Sequence, residues 1–173
     1  MKVRSIVILT IVFISTLAVN AGDPVWLDKM KQIRLLSDNR DNILKKLGDP
    51  VDGDKESYLW YYDFDDGRMS IMYETGTCGS FEGQATGWKV PKWVVSSVRF
   101  SLENNVTPKT LGINFRGFTA KAISDDANGK EYVNDDLGID YTVFSGKIHS
   151  ITFRPSAKYN YLICNMADVS KIL

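Results

Sequence analysis

Side chains suited to catalysis are few in this chain, and they form no recognisable motif. His149 is the only histidine, and it lies in an alternating segment typical of a β-strand. We interpret it as a surface or rim residue rather than a general base. The chain contains no GxSxG, HExxH, P-loop or GxGxxG pattern, which are short motifs that carry a mechanism. We therefore predict no catalytic residue, no cofactor and no metal ion.

Four acidic clusters offer carboxylates of the kind used in glycoside hydrolysis or calcium binding. They are Asp49–Asp54, Asp63–Asp66, Asp125–Asp126 and Asp135–Asp136. Each lies with glycine or asparagine where a turn is expected, so we interpret the clusters as solvated turn residues. A carboxylate-based hydrolase is the enzymatic alternative that they leave open.

Exposed aromatic side chains are the other candidate for a binding surface, because a strip of them can grip a sugar or a protein. Trp88 and Trp93 flank Pro91 beside a predicted loop, so we expect both to be half exposed. A second aromatic set recurs at every second position, which places it on one face of a strand and favours the core. Its members are Tyr58, Trp60, Tyr62 and Phe64.

The two cysteines predict one disulfide. Cys78 lies in a glycine-rich loop, and Cys164 lies near the C-terminus. An even number of cysteines in an exported chain favours pairing. The bond would tie the first half of the fold to its last segment, and two buried free thiols are the alternative.

Residues 1–21 predict a secretory signal peptide. Lys2 and Arg4 precede an apolar run from Ile6 to Val19, and Val19-Asn20-Ala21 resembles a cleavage site. The run is shorter than the roughly 20 residues that span a bilayer. We therefore expect a secreted or periplasmic protein with no integral membrane span after processing. The charge is balanced, with 21 basic and 21 acidic residues, which argues against a nucleic-acid partner.

The elements that would position these residues begin with a helix at Asn39–Leu47, which Gly48 and Pro50 end. Asp23–Leu36, before it, reads as a mixed segment that is partly strand. Three predicted strands follow the helix: Tyr58–Phe64, Arg68–Glu74 and Trp93–Leu102. Asp65-Asp66-Gly67 forms the first turn, and a loop at Thr75–Gly87 carries Cys78. One helix and a three-strand meander make an αβββ unit.

The second half of the chain repeats this pattern weakly after a polar linker at Leu102–Pro108. A strand at Tyr132-Val133 precedes a hairpin that turns at Ser145-Gly146. Leu111–Ile123 is ambiguous between a short helix and a strand pair. Val95–Phe100 matches Ile148–Phe153 in alternation and in the placement of serine and phenylalanine, so we predict a tandem repeat.

Asp38–Pro50, with Leu47-Gly48-Asp49-Pro50 at its core, resembles the opening of the αβββ proteins of the β-lactamase-inhibitor-protein and SmpA/OmlA (BamE) type. Tyr61–Arg68, Gly76-Thr77-Cys78 and Gly87–Pro91 resemble a group of uncharacterised secreted bacterial proteins that share this apparent fold. The resemblance covers most of the mature chain and implies an α+β fold of tandem αβββ-like units with antiparallel meander sheets. Residues 22–105 would form the first unit, and residues 106–173 a degenerate second unit packed against it. The lipid-anchor cysteine of SmpA/OmlA proteins is missing here.

Members of these families bind proteins or assemble envelope machinery, which implies a secreted, non-enzymatic module with an unknown protein partner. In the β-lactamase inhibitor protein, hairpin loops from the two repeats enter the active-site cleft of the target. The corresponding tips here would be Asp65, Asp66 and Gly67 in the first unit and Phe144 in the second. Trp88 and Trp93 are the further candidate contacts. An enzyme inhibitor acting through two hairpin tips is thus a second alternative.

Overall fold

A computed structural model describes residues 24–76, 78–82, 84–123 and 128–169. The predicted signal peptide, residues 1–21, lies outside the described residues, as do the acidic residues Asp125 and Asp126. Within the described ranges, no helix has the length and apolar character needed to cross a membrane.

Two helices open the described chain, α1 at Val25–Lys31 and α2 at Arg40–Leu47. The predicted helix is confirmed as α2, which begins with a reciprocal capping box between Asn39 and Asn42. The partly stranded segment expected at Asp23–Leu36 is wrong, because that region contains α1. The N-cap of α1 is Pro24, which provides no side-chain cap, so the usual local signal for a helix start is missing there.

Seven strands of the described chain form one antiparallel sheet in the order β1-β2-β5-β9-β8-β7-β6. The strands on one side are β1 (Leu59–Phe64), β2 (Gly67–Tyr73) and β5 (Val95–Val106). Those on the other side are β6 (Thr119–Ala122), β7 (Gly129–Asn134), β8 (Ile139–Phe144) and β9 (Lys147–Phe153). A separate small hairpin joins β3 (Gly79–Phe81) to β4 (Gln84–Thr86). The mixed α+β class with an antiparallel sheet is confirmed.

The core lies between the helices and one face of the sheet. Trp26 of α1 stacks on Phe100 of β5 with ring centroids 4.2 Å apart, and both side chains are fully buried. Alternate residues of the strands join them in the core, including Trp60, Tyr62, Met69, Ile71, Val98 and Ile151. The opposite face carries no helix among the described elements, and we call it the open face. Such one-sided burial is typical of antiparallel sheets.

The second half covers its part of the core without a helix. Between β5 and β6 the described chain has turns and irregular backbone at residues 107–118. Phe115 from this segment stacks on Tyr132 of β7 at 3.9 Å and contacts Tyr141 of β8 edge-on at 5.5 Å. An aromatic cluster thus fills the place that a helix would take, and the helix of an αβββ unit is missing from this region.

The two ends of the sheet differ, and we name them by what they carry. The tip end has the turn at residues 65–66 between β1 and β2 and the turn at residues 145–146 between β8 and β9. The lobe end has the segments 74–94 and 155–169, joined by a disulfide between Cys78 and Cys164. The predicted disulfide is confirmed, with the Cα atoms 5.6 Å apart.

Two expected irregular segments contain strands. β5 continues to Val106, so most of the linker expected at Leu102–Pro108 is strand, and the unit boundary expected after residue 105 falls inside it. The loop expected at Thr75–Gly87 contains the hairpin of β3 and β4. The polar residues of both segments have weak β-propensity, so the sequence did not predict these strands. Pairing with neighbouring strands outweighs that weak propensity. A final 3-10 helix at Ala157–Leu162 and the short α3 at Met166–Val169 complete the lobe.

Candidate functional site

The predicted hairpin contacts lie together at the tip end. The two turns stand on either side of the last residues of β5, because the strand order places β2, β5 and β9 side by side. The turn centres are therefore three strand spacings apart, about 14 Å. Asp65 and Ser145 are exposed, whereas Asp66 and Phe144 are half-buried. The structure thus brings an acidic turn and an aromatic turn to one end of the molecule.

Asp66 is held by the end of β5. Its carbonyl oxygen accepts a hydrogen bond from the Glu103 N–H at 3.0 Å, and its carboxylate accepts one from the Asn104 side chain at 3.2 Å. Asp65, one position earlier, is exposed and turns its carboxylate to no hydrogen-bond donor among the described residues. The acidic turn therefore has one anchored carboxylate and one free carboxylate.

Gly67, also predicted as a contact residue, is buried and has a steric role. A Cβ atom on Gly67 would lie 2.0 Å from the carbonyl oxygen of Ser101, so a side chain would push β2 away from β5. The residue permits the close approach of two strands behind the turn. We therefore correct its expected role: Gly67 shapes the acidic turn, and its neighbours present the side chains.

Phe144 is fixed by the only histidine. The two rings meet edge-on with centroids 5.6 Å apart, a favourable geometry for aromatic pairs. The Phe144 ring also covers Gly129, where a Cβ atom would lie 2.7 Å from it. His149 is exposed, as expected for a rim residue, and it stands at a register shift between β9 and β8. Sequence reasoning missed this pairing, because a strand irregularity creates it.

The open face adjoins the tip end and consists mainly of polar side chains. Register aligns Asp63, Arg68, Ser101, Ser150 and Thr142 in one row, and Tyr61, Ser70, Arg99, Thr152 and Asp140 in the next. Small hydroxyl residues occupy the centre, and longer side chains flank them. The Arg68 guanidinium binds Asp63 at 2.6 Å and lies 5.7 Å from the Tyr61 ring. Hydrogen bonding to Asp63 raises the pKa of Arg68.

The two predicted tryptophan contacts lie at the lobe end, away from the turns. Trp88 pairs with Ile163 through an isolated β-bridge beside the disulfide. Trp93 stacks on Tyr58 at 4.6 Å and has a backbone φ of +70°, which is uncommon for a bulky residue. Both tryptophans are half-buried, in agreement with the expectation. The six candidate contact residues therefore form two separate groups.

Trp93 belongs to a cluster that the sequence did not reveal. The Arg40 guanidinium lies 3.3 Å from the centre of the Trp93 ring, 5.1 Å from that of Trp60 and 5.2 Å from that of Tyr73. It also donates hydrogen bonds to the carbonyl oxygens of Lys55 and Ser57. Burial lowers the pKa of Arg40 and raises that of Tyr73. The cluster joins α2 to the sheet and is filled by the protein's own cation.

A buried carboxylate stabilises the connection between the helices. Asp38 has no exposed surface, and it accepts hydrogen bonds from the Arg34 backbone at 2.8 Å and from Lys46. Burial, the largest influence, raises the pKa of Asp38, but the hydrogen bonds from Arg34 and the Lys46 charge outweigh it. The net effect lowers the pKa of this carboxyl below its ordinary value.

The acidic clusters do not converge. Asp65 and Asp66 lie at the tip end, whereas Asp135 and Asp136 lie in the β7–β8 turn at the lobe end, where Asp135 binds Arg154 at 2.5 Å. Among the described residues, no group of three or more His, Cys, Asp or Glu side chains is arranged to hold a metal ion.

Comparison with known proteins identified no relative of this chain. No protein-family model matches the chain, and neither a curated protein nor a solved structure matches it.

Proposed function

We propose that this chain is an exported, non-enzymatic binding protein that recognises a protein partner through its tip end and the adjoining open face. The observation that carries the proposal is the placement of an acidic turn and an aromatic turn at the same end of one rigid sheet. Both turns project beyond paired strands, and their side chains take little part in the core. A surface of this kind can bind without disturbing the fold.

The chemistry of the tip end suits protein recognition. Aromatic side chains, phenylalanine included, are enriched in the buried centre of protein interfaces, and the Phe144 ring contacts His149 before any partner arrives. Prior ordering lowers the entropy lost on binding. The free carboxylate of Asp65, about 14 Å away by strand spacing, would add charge complementarity and fix the orientation of the partner.

The export and repeat elements of the proposal rest on supporting features. A disulfide favours an oxidising compartment, and residues 1–21 carry the signal-peptide pattern, so we assign the protein to the periplasm or the medium.

The strand order supports a tandem αβββ-like architecture related to the β-lactamase-inhibitor-protein and SmpA/OmlA (BamE) type. On one side of the central β5–β9 pair the sheet continues with β2 and then β1, and on the other side it continues with β8 and then β7. Val98 pairs with Phe153 and Phe100 with Ile151 there.

Inhibition of an enzyme is the second candidate, and the same two turns favour it. Two projecting turns about 14 Å apart can enter a cleft from its two sides. They do not join equivalent strands, however: one connects the first and second strands of its meander, and the other connects the second and third. An inhibitory role would therefore use the shared end of the sheet rather than a repeated loop.

The test is capture of a partner from the native envelope and medium with purified mature protein. Asp65, Asp66 and Phe144 are changed together to alanine, and bound proteins are compared by mass spectrometry. The control is Asp136→Ala with Tyr161→Ala, which removes one exposed acid and one exposed aromatic ring at the lobe end, and it is compared also with Asp65→Ala and Phe144→Ala, which remove one acid and one aromatic ring at the tip end. We expect the tip variant to lose the captured partner and the control to retain it.

Capture by the tip variant at the level of the unchanged protein would reject the tip end as the recognition surface. Photo-crosslinking residues placed at position 65 or 144 should then also label no partner. Where a captured partner is an enzyme, its turnover measured with and without the protein separates inhibition from simple binding. Turnover of substrates by the pure protein, lost in His149→Ala, would overturn the non-enzymatic assignment.

A further inference from the structure

A depression of about 470 Å³ lies at the lobe end, away from the tips. The connection between α1 and α2 supplies Arg34 and Ser37 to its wall, and the β7–β8 turn supplies Leu137. The chain that follows β9 supplies Arg154, Ser156 and Lys158. Both halves of the sequence thus build the depression, and its volume lies within the range of small-molecule sites.

All three charged side chains that line the depression among the described residues are positive. Arg34 donates from Nε and Nη2 to Asp38 at 3.3 and 3.2 Å. Arg154 donates from Nε and Nη2 to Asp140 at 2.6 and 3.0 Å, and from Nη2 to Asp135 at 2.5 Å. Each guanidinium is therefore oriented by a carboxylate, and the Nη1 group of each makes no hydrogen bond to the described residues.

The carboxylates behind the two arginines do not cancel the positive charge. Asp38 also pairs with Lys46, which brings a further cation to the same carboxylate. Lys158 is exposed, and its ammonium lies 4.8 Å from the ring of Tyr159, which also lines the depression. Four cations of this region, Arg34, Lys46, Arg154 and Lys158, face three carboxylates, Asp38, Asp135 and Asp140, so an excess of one positive charge remains to attract an anion.

Hydroxyl groups complete the donor set. Ser156 is 9% exposed, and its side chain does not cap the 3-10 helix that follows it. The hydroxyl makes no hydrogen bond to the described residues, so it remains available to a ligand. Ser37 and Tyr159 add further hydroxyls to the wall.

We propose that this depression is a binding site for a small oxyanion, either a polycarboxylate or a phosphate group. A guanidinium N–H donates a charge-assisted hydrogen bond to the oxygens of either group. The carboxylates that hold Arg34 and Arg154 occupy Nε and Nη2, and they orient the Nη1 group of each arginine before the ligand arrives. The site is independent of the tip end and does not require a protein partner.

The test is titration of the ¹⁵N-labelled mature protein with citrate and, separately, with inorganic phosphate at constant ionic strength. We expect saturable shifts of the backbone signals of Ser37, Leu137 and Lys158, with a dissociation constant below about 1 mM for one anion. The anion that binds more tightly identifies the ligand as a carboxylate or a phosphate. Shifts that do not saturate with either anion would overturn the proposal.

A charge-matched pair of variants separates a site from general attraction. Arg34→Gln with Lys158→Gln removes two cations from the depression, and Lys130→Gln with Lys147→Gln removes two exposed cations elsewhere on the sheet. The first pair should weaken binding at least tenfold, and the second should change it less than twofold. Equal weakening by both pairs would show an unspecific effect of net charge and reject the site. Arg154 is left unchanged, because it also holds Asp135 and Asp140. Arg34 likewise holds Asp38, so urea unfolding of the first pair must show a retained fold before its weaker binding counts for the site.

Discussion

The two ends of the sheet differ in how their side chains are held. At the lobe end, a disulfide, the Arg40 cluster and the buried Asp38 tie the helices and loops to the strands. At the tip end, the side chains of the two turns make few contacts. One of them is the hydrogen bond from the Asn104 side chain to the Asp66 carboxylate. Stabilising interactions are thus concentrated away from the proposed recognition surface. The contrast predicts that substitutions at the two ends have separable effects on stability and binding.

The largest effect should come from the disulfide. Cys78→Ser with Cys164→Ser releases a covalent loop that spans 86 positions, and the chain-entropy estimate for such a loop is about 4–5 kcal/mol. We expect the free energy of unfolding to fall by about 2–5 kcal/mol in urea titrations, since measured losses are often smaller than the estimate. A loss below about 1 kcal/mol would contradict the view that the lobe stabilises the fold.

Arg40→Ala should cost about 3 kcal/mol, because it leaves the Lys55 and Ser57 carbonyls without their donor and empties the space between three aromatic rings. Arg40→Lys keeps the charge but loses the planar stack, so its cost should be intermediate. The control is Arg99→Ala on the open face, which is exposed and should change the unfolding free energy by less than about 0.5 kcal/mol. Equal losses of unfolding free energy for Arg40→Ala and Arg99→Ala would show that the Arg40 cluster does not stabilise the fold.

Asp38 should make the lobe end sensitive to acid. Because folding lowers the pKa of this carboxyl, its contribution is complete above its unfolded value of about 3.9 and is lost as pH falls through the folded value. Asp38→Asn should therefore cost about 2 kcal/mol at pH 6 and progressively less below pH 4. Urea unfolding of both proteins across this range measures the difference. A difference in unfolding free energy between the two proteins that stays constant down to pH 2 would contradict the lowered pKa of Asp38.

The smallest effect on stability belongs to the tip end. Asp65→Ala should change the unfolding free energy by no more than about 0.5 kcal/mol, because the side chain is exposed. The melting temperature of this variant, compared with that of Cys164→Ser, measures the contrast between the ends directly. A tip substitution as damaging as loss of the disulfide would show that the turn is part of the stabilising structure.

Local signals in the sequence were sufficient for α2 and for the hairpins. Asn39 and Gly48 flank α2 within ten residues of chain, and Asp65-Asp66-Gly67 marks a turn between alternating strands. The helix α1 was missed because it is only seven residues long and Pro24 supplies no side-chain cap. The end of β5 was missed because Glu103 and Asn104 have weak strand preference, and tertiary pairing overrode it.

The candidate site was predictable only in part, because many of its contacts join residues that are far apart in the sequence. Turn chemistry predicted the turns that contain or adjoin Asp65, Asp66 and Phe144, and a family resemblance alone suggested their contact role. Their placement at one end follows from the strand order. The Arg40 cluster joins residues from α2, β1, β2 and the segment before β5. The depression joins both halves of the chain. No local pattern reports such contacts, because each partner looks like an ordinary helix, strand or loop residue in its own neighbourhood.

The central β5–β9 pair has a consequence for how the chain folds while it is being made. Phe100 and Ile151 lie about 50 positions apart, whereas β1–β2 and β8–β9 are joined by short turns that close within microseconds. A chain that emerges from its N-terminus therefore presents the unpaired edge of β5 until β9 has followed. Unpaired edges invite association with other chains. Residues 95–106 are thus the segment most in need of protection while the protein is still incomplete.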